Sequence, residues 1–338
     1  MINLYIYPEN YKKNAKGLWP LIKLVTTEGK CKETYQIVPT VQECDYLLLP
    51  EALGTNYRKN DPITVQQILD FAEKQNKQII AFSGGDFGKT ITHKNICTIR
   101  LGGFKSKFTS TTFVPPANIQ DPLLILEKDF FTLPKSSKPS IGFVGHSDGS
   151  FFKFIKELLL FVKKNARVFF GLEFHDYQHF YPSSYYRFKY LGYLLKSNLV
   201  ICNFIFRNKY RAGANTEESR RRTSIEFYDN IATNLYTFCL RGSGNFSVRF
   251  YETLALGRIP ILIDTDCEMP LNDSINWENH CIIIPEKQVR HLVDYVVNFH
   301  NSHSELELEQ MQKNNRDLWQ SCLTRENFYN TLVKSLKK

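Results

Sequence analysis

Just downstream of the run Gly242-Ser243-Gly244-Asn245, the chain places Ser247, Arg249 and Glu252 within one short segment. The planar fork of an arginine matches two oxygens of a phosphate. A carboxylate at Glu252 suits a pair of vicinal hydroxyls, as an acidic residue does for a ribose. Three apart on a helix, Arg249 and Glu252 lie on neighbouring faces, so the same spacing also fits a surface ion pair worth roughly 0.3 kcal/mol.

The elements that must position these residues are readable around them. Residues 236–240 form a short apolar strand and the glycine run breaks it as a turn. Phe250, Leu254 and Leu256 recur at roughly helical spacing, Ser247 is the expected N-cap, and Gly257 stands where a C-terminal cap belongs. Residues 259–263 then read as a buried parallel strand. A β-turn-α-β unit of this kind aims backbone N–H groups and a positive helix end at whatever lies above the turn. That is an anion site, most simply for a diphosphate.

The rest of the chain alternates strands and helices. Strands are expected at 1–7, 44–50, 78–83, 96–100, 140–144, 167–172, 198–204 and 280–285, with helices at 64–75, 152–164, 185–196, 224–234 and 286–300 and one or two more from 305 on. Residues 129–139, with two prolines, two serines and two lysines, are the best linker. The long apolar strands suggest parallel sheets covered on both faces. Two consecutive β/α halves with turns at the strand ends argue for two Rossmann-like domains around a cleft. We place the first at 1–135, the second at 136–310, and C-terminal helices returning to the first at 311–338.

With 338 residues, 43% of them apolar, the chain can bury two ordinary cores. Its net charge of +9 suits a phosphorylated small molecule or an anionic membrane surface. No basic run exceeds Arg220-Arg221-Arg222 and no nucleic-acid-binding signature is present, so nucleic acid is not an expected partner. Eight cysteines without a CxxC pair read as small buried hydrophobes in a reducing compartment. Neither a signal peptide nor a membrane span is legible, so a cytoplasmic protein is expected.

The segment FYDNIATNLYTFCLRGSGNFSVRFYETLALGRIPILIDTDCEMPL resembles the C-terminal motif of exostosin-type glycosyltransferases, glycosyltransferase family 47. Ser247, Arg249, Glu252, Gly257, Ile259, Pro260, Asp264 and Pro270 stand at matching places, with weaker similarity at 44–54, 138–149 and 202–214. The missing secretory topology puts the resemblance nearer a bacterial or viral branch. It implies a GT-B fold and sugar transfer from a nucleotide sugar, such as a UDP-sugar, to an acceptor hydroxyl on a glycan, surface polysaccharide or lipid-linked glycan. Members are typically inverting, and the GT-B diphosphate needs no metal clamp. Asp264-Thr265-Asp266 is a DxD by letters, but it follows a strand that this geometry already explains.

On this reading the donor site comprises Arg207, Arg211, Arg241, Gly242, Gly244, Asn245, Ser247, Arg249 and Glu252. An inverting transfer also needs a general base near the acceptor. Glu51 and Asp86, at strand ends of the acceptor half, come first, with His146 in FVGHSDG third; each also reads as an ordinary polar loop residue. His175 and His179 have the i,i+4 spacing of metal ligands, but no further ligand accompanies them, and no metal is expected. A fucosyltransferase-like GT-B enzyme using a GDP-sugar, or a non-catalytic glycan- or nucleotide-binding relative, are the alternatives. The charge also allows peripheral contact with the inner face of a membrane.

Overall fold

The computed structural model describes residues 1–8, 19–53, 65–207 and 213–336. Two all-parallel sheets carry the chain, and this is the GT-B arrangement expected from the sequence. The first is built from β1 (Ile2–Ile6), β2 (Tyr35–Ile37), β3 (Tyr46–Leu48), β4 (Gln78–Ser83), β5 (Ile96–Arg100) and β6 (Thr112–Phe113), in the order β2-β1-β3-β4-β5-β6. The second is built from β7 (Ser140–His146), β8 (Ile201–Arg207), β9 (Tyr236–Cys239), β10 (Ile259–Asp264) and β11 (Ile282–Pro285), in the order β11-β10-β9-β7-β8. Both chains of strands reverse direction once, beside β1 in the first sheet and between β7 and β9 in the second. Ligands of open α/β sheets sit at such reversals, outside the carboxyl ends of the strands.

Burial follows from composition. Every residue of β5 and β9 is buried, as is all of β10 except Asp264, so these strands are covered on both faces without alternation. Pro260 lies inside β10, where a missing N–H would normally break the ladder. Ile259 donates toward the β9 side, to the carbonyl of Leu235, so the nitrogen of Pro260 faces β11 instead. Pairing with β11 begins only at Ile261↔Ile282, and no ladder bond is forfeited.

The helices are α1 (Pro20–Thr26), α2 (Val65–Lys74), α3 (Pro122–Leu126), α4 (Phe151–Phe169), α5 (Ser183–Leu195), α6 (Glu217–Ala232), α7 (Val248–Ala255), α8 (Leu292–Ser302), α9 (Glu305–Leu318) and α10 (Arg325–Leu336). Residues 167–172 are a correction: the strand expected there is the last turn of α4 and the reversal after it. The run Val168-Phe169-Phe170 has strand-like residues, but the helical period begun at Phe151 continues through it with neither proline nor glycine to stop it until Gly171, where φ is +68°. The Arg220–Arg222 run lies in the early turns of α6, which starts earlier than the expected 224 because Thr216 and Ser219 form a reciprocal cap.

Helix α9 packs on the second sheet, where Leu308 and Met311 join the core of β7, β9 and β10. The chain returns through a turn at Trp319–Leu323, and α10 buries Phe328, Tyr329 and Leu332 with Leu4, Trp19 and Leu24 of the first half. Each such side chain contributes about 2 kcal/mol by burial. The Tyr35 hydroxyl donates to the carbonyl of Tyr329 at 2.7 Å, fixing the register of α10. All eight cysteines are free thiols and five of them are buried.

Residues 128–138 are held to the second half. Buried Arg258 donates to the carbonyls of Ala232 and Phe131, and His300 lies between the Tyr236 hydroxyl at 2.9 Å and the Ser136 carbonyl at 2.8 Å. A carbonyl only accepts, so His300 carries its proton on Nε2 and takes the tyrosine proton at Nδ1. Burial lowers the His300 pKa below its ordinary value. The stability this gives is full above the unfolded-state pKa and is lost as pH falls through the lower folded value. Melting temperature is therefore expected to fall between pH 7 and pH 5, and less steeply in His300→Asn than in wild type; equal slopes would remove His300 as the cause.

Candidate functional site

Arg249 sits one residue into α7, and its position follows from the reversal between β7 and β9. Its guanidinium donates to the carbonyl of Val144 on β7 at 2.6 Å and to that of Phe238 on β9 at 3.3 Å, and it stacks 4.3 Å over the Phe143 ring. Diverging strands leave those carbonyls without a ladder partner, and Arg249 supplies one. Gly145 makes this possible, because a Cβ there would come 2.9 Å from Arg249 Nη2. Ser247 precedes the helix as expected but makes no capping bond, leaving the early N–H groups of α7 for another partner. Gly257, at φ +67°, ends the helix as expected.

A cavity of about 580 Å³ lies over this point. Its charged lining is Arg187, Arg207, Arg220 and Arg249 against Asp86 and Glu252, so cations outnumber carboxylates. Arg207, at the end of β8, pairs with Glu226 and donates to the Thr223 carbonyl. Arg187, from α5, donates to the Arg241 carbonyl at 3.0 Å, and Arg241 lies 4.7 Å over the Tyr181 ring. The Nε atoms of Arg187, Arg207, Arg241 and Arg249 are all buried without a hydrogen-bond partner. Native proteins rarely leave such donors unmet. Burial, and then the neighbouring Arg249 charge, pulls Arg187 down to about 10. Arg241 and Arg249 are also lowered, chiefly by burial. A cluster of crowded, desolvated cations with open donors is an anion receptor.

Glu252 lines the same cavity and accepts from the Tyr228 hydroxyl at 3.2 Å. His146 donates from Nδ1 to the Arg207 carbonyl at 3.0 Å, which leaves Nε2 as a lone-pair acceptor, buried and unpartnered. Asp86 reaches the cavity from the loop after β4 of the other half, and its carboxylate accepts from the Ser243 hydroxyl at 2.9 Å.

The glycine turn has a second task. Asn245 is buried, and its amide donates to the carbonyls of Gly103, Thr265 and Asp266 at 2.8–2.9 Å, joining the two halves. The Asp86 carbonyl is wedged between Gly102 and Gly244, where added Cβ atoms would come within 2.0 and 2.4 Å. The Asp264-Thr265-Asp266 carboxylates are committed elsewhere: Asp264 accepts from the Cys267 N–H, and Asp266 from the Ser106 N–H and hydroxyl across the halves.

Of the residues named from sequence, the structure brings Asp86, His146, Arg207, Gly242, Gly244, Ser247, Arg249 and Glu252 to one cavity, with Arg241 and Asn245 immediately behind it. Glu51 follows β3, is half-buried, and is not among the cavity's lining residues. Arg211 lies outside the described residues. His175 and His179 are not on a helix; His175 bonds Glu173 and His179 meets Lys107, so their i,i+4 spacing does not put them on one face. Arg187 was missed, since it belongs to no motif and only the packing of α5 delivers it.

Residues 197–299 match the family model of the Exostosin GT47 domain. The chain is 28% identical over 98 residues to the Exostosin-1 homolog of Caenorhabditis elegans, covering 28% of this chain and 24% of that protein. It is 30% identical over 66 residues to an Arabidopsis thaliana protein named "Probable beta-1,4-xylosyltransferase IRX10L", covering 20% of this chain and 16% of the relative. The matched part thus spans a quarter or less of these relatives' length. Among solved structures, a glycosyltransferase from Rickettsia africae aligns over 99% of this chain and 98% of its own, at 10% identity and a TM-score of 0.37.

Arg249→Lys keeps the charge but cannot donate to two strand carbonyls and an anion together. It is expected to lower stability by about 1–3 kcal/mol and to abolish the rise in melting temperature that pyrophosphate gives the wild type. An undiminished pyrophosphate shift in this variant would place the anion elsewhere.

Proposed function

We propose that this chain, which carries an exostosin GT47 domain at residues 197–299, is a glycosyltransferase that moves a sugar from a nucleotide-sugar donor to an acceptor hydroxyl of a glycan. The observation that carries the reading is the set of buried, unpartnered arginine Nε donors gathered at the reversal between β7 and β9. The donor diphosphate lies against Arg187, Arg207 and Arg249, with the N–H groups at the start of α7 completing its cradle. Glu252 takes the ribose hydroxyls, and a UDP-sugar is the donor we favour.

The transfer is a single displacement. The acceptor oxygen attacks the anomeric carbon as its proton passes to the Asp86 carboxylate. The bond from that carbon to the diphosphate oxygen breaks, and the leaving charge falls on the arginines. Attack opposite the leaving group inverts the anomeric centre. Asp86 suits the role because it comes from the half facing the acceptor and reaches the donor cavity. His146 Nε2, an acceptor, receives a donor hydroxyl. With arginines neutralising the diphosphate, no metal is required by this reading. We place the protein in the cytoplasm, working on a growing, lipid-linked or surface glycan at the inner face of the membrane.

A melting-temperature panel of UDP, GDP, CMP and dTDP compounds, each with and without a chelator, tests the donor assignment. At a ligand concentration near a hundred times Kd, the preferred nucleotide is expected to stabilise by about 2.7 kcal/mol, equally with chelator. No response to any nucleotide, or one abolished by chelation, would overturn it. Asp86→Asn is expected to keep the nucleotide shift while kcat falls roughly 10²–10⁴-fold. If Asp86→Asn turns over normally and His146→Gln does not, the base is His146.

A further inference from the structure

Helix α4 is unlike every other long helix of the fold, because none of its residues is buried. Phe154 and Phe161 pack against the Phe180 ring, each with centroids 5.3 Å apart, and this inner side is its attachment to the second half. At 3.6 residues per turn, Phe151, Phe152, Leu159, Val162 and Phe169 fall on an outward arc of roughly 100°. Phe151, Phe152 and Phe169 are 72%, 87% and 72% exposed, and Leu159 is 65% exposed. Phe170 and Leu172 extend the apolar surface past the helix end at 71% and 57% exposure.

Basic side chains line one edge of that arc. The helix holds five basic side chains and one acidic one. Lys153 and Lys164 point back toward the protein, the first pairing with Glu157 and the second lying 3.8 Å over the Phe87 ring. Lys156, Lys163 and Arg167 border the apolar arc and are exposed, Arg167 also pairing with Glu173 at 2.8 Å. An apolar stripe of phenylalanine and leucine edged by lysine and arginine is the pattern of a helix lying in the headgroup layer of an anionic bilayer. A second protein surface would match the apolar arc but has no reason to require the basic border.

The place of α4 gives the contact a purpose. It starts just after His146, and its Lys164 covers Phe87, the neighbour of Asp86; His146 and Asp86 both line the cavity. From Phe151 to Lys164 the helix spans fourteen residues, roughly 21 Å. No helix among the described residues is long and apolar enough to cross a membrane.

We propose that α4 is an in-plane membrane anchor, inserting its Phe151-to-Phe169 arc into an anionic phospholipid surface with Lys156, Lys163 and Arg167 at the phosphate level, so that the cleft opens beside the bilayer. The membrane contact stands on α4 alone; its use for a lipid-linked acceptor rests on the sugar-transfer reading above.

The test is co-sedimentation of the full chain with vesicles of phosphatidylcholine alone and of equal parts phosphatidylcholine and phosphatidylglycerol, at low salt. Binding is expected to the mixed vesicles and not to the neutral ones. Lys156→Gln/Lys163→Gln is expected to weaken it roughly thirtyfold, from about a factor of five per basic side chain at an anionic surface. Phe152→Ser/Leu159→Ser is expected to weaken it tenfold or more. All four positions are exposed, so unchanged melting temperatures confirm that the variants fold. Absence of wild-type binding to mixed vesicles, or retention by either variant, would overturn the anchor. So would light scattering that finds a dimer converted to monomer by Phe152→Ser/Leu159→Ser with no vesicle binding, since a second copy would then cover the face. The nucleotide melting shift, read on the same samples, reports independently on sugar transfer.

Discussion

One guanidinium occupies the point where the second sheet changes direction. Between β7 and β9 the strands part, and the carbonyls of Val144 and Phe238 would face the crevice unpaired; Arg249 bonds both. A buried cation held this way costs desolvation, and further cations from α5, β8 and the end of β9 crowd the same space. The fold tolerates the crowding because carbonyls and aromatic rings hold each guanidinium: Phe143 faces Arg249 and Tyr181 faces Arg241. What those groups leave unmet are the Nε donors of Arg187, Arg207, Arg241 and Arg249, buried with no protein acceptor. The site is therefore a built-in charge imbalance whose remedy is an anionic ligand.

The other half of the molecule depends on the same turn. Gly242 to Asn245 lies between the arginine cluster and the first sheet, and it is pinned there by the Asn245 amide and by the close approach of Asp86 to Gly244. Asp86 of the first half and the glycine turn of the second are thus neighbours by construction. Helix α10 secures the arrangement from the far end, tying the C-terminal chain into the core of the first sheet.

The central unit was legible because its information is local. A glycine turn between two apolar strands, a helix with Arg249 and Glu252 on its early turns, and a glycine at its end can be read within thirty residues. The parallel class was legible from apolar strands such as CDYLLLP at residues 44–50. Arg187 was not, because it is a lone arginine in an aromatic helix and only tertiary packing brings it beside Arg249. Residues 167–172 misled because strand-like residue types were weighed above a helical period that ran on unbroken, and because a helix with an unburied apolar face contradicts the expectation that such faces find a core. The i,i+4 spacing of His175 and His179 likewise has meaning only on a helix, and the backbone there is irregular. For Asp264 and Asp266 the letters suggested a cation, whereas both carboxylates serve backbone N–H groups of loops.

The shared role of the glycine turn has a thermodynamic corollary. Gly242, Ser243 and Gly244 line the cavity while Asn245 holds the carbonyl of Gly103 in the opposite half, so any ligand that orders the turn also favours the joined state of the two halves. Reciprocity requires the converse: whatever holds the halves together must tighten the ligand by the same free energy. Weakening the joint at Gly103 or Ser106 would thus loosen the hold on any ligand of the turn, and occupancy of the cavity would register as stiffness between the two sheets.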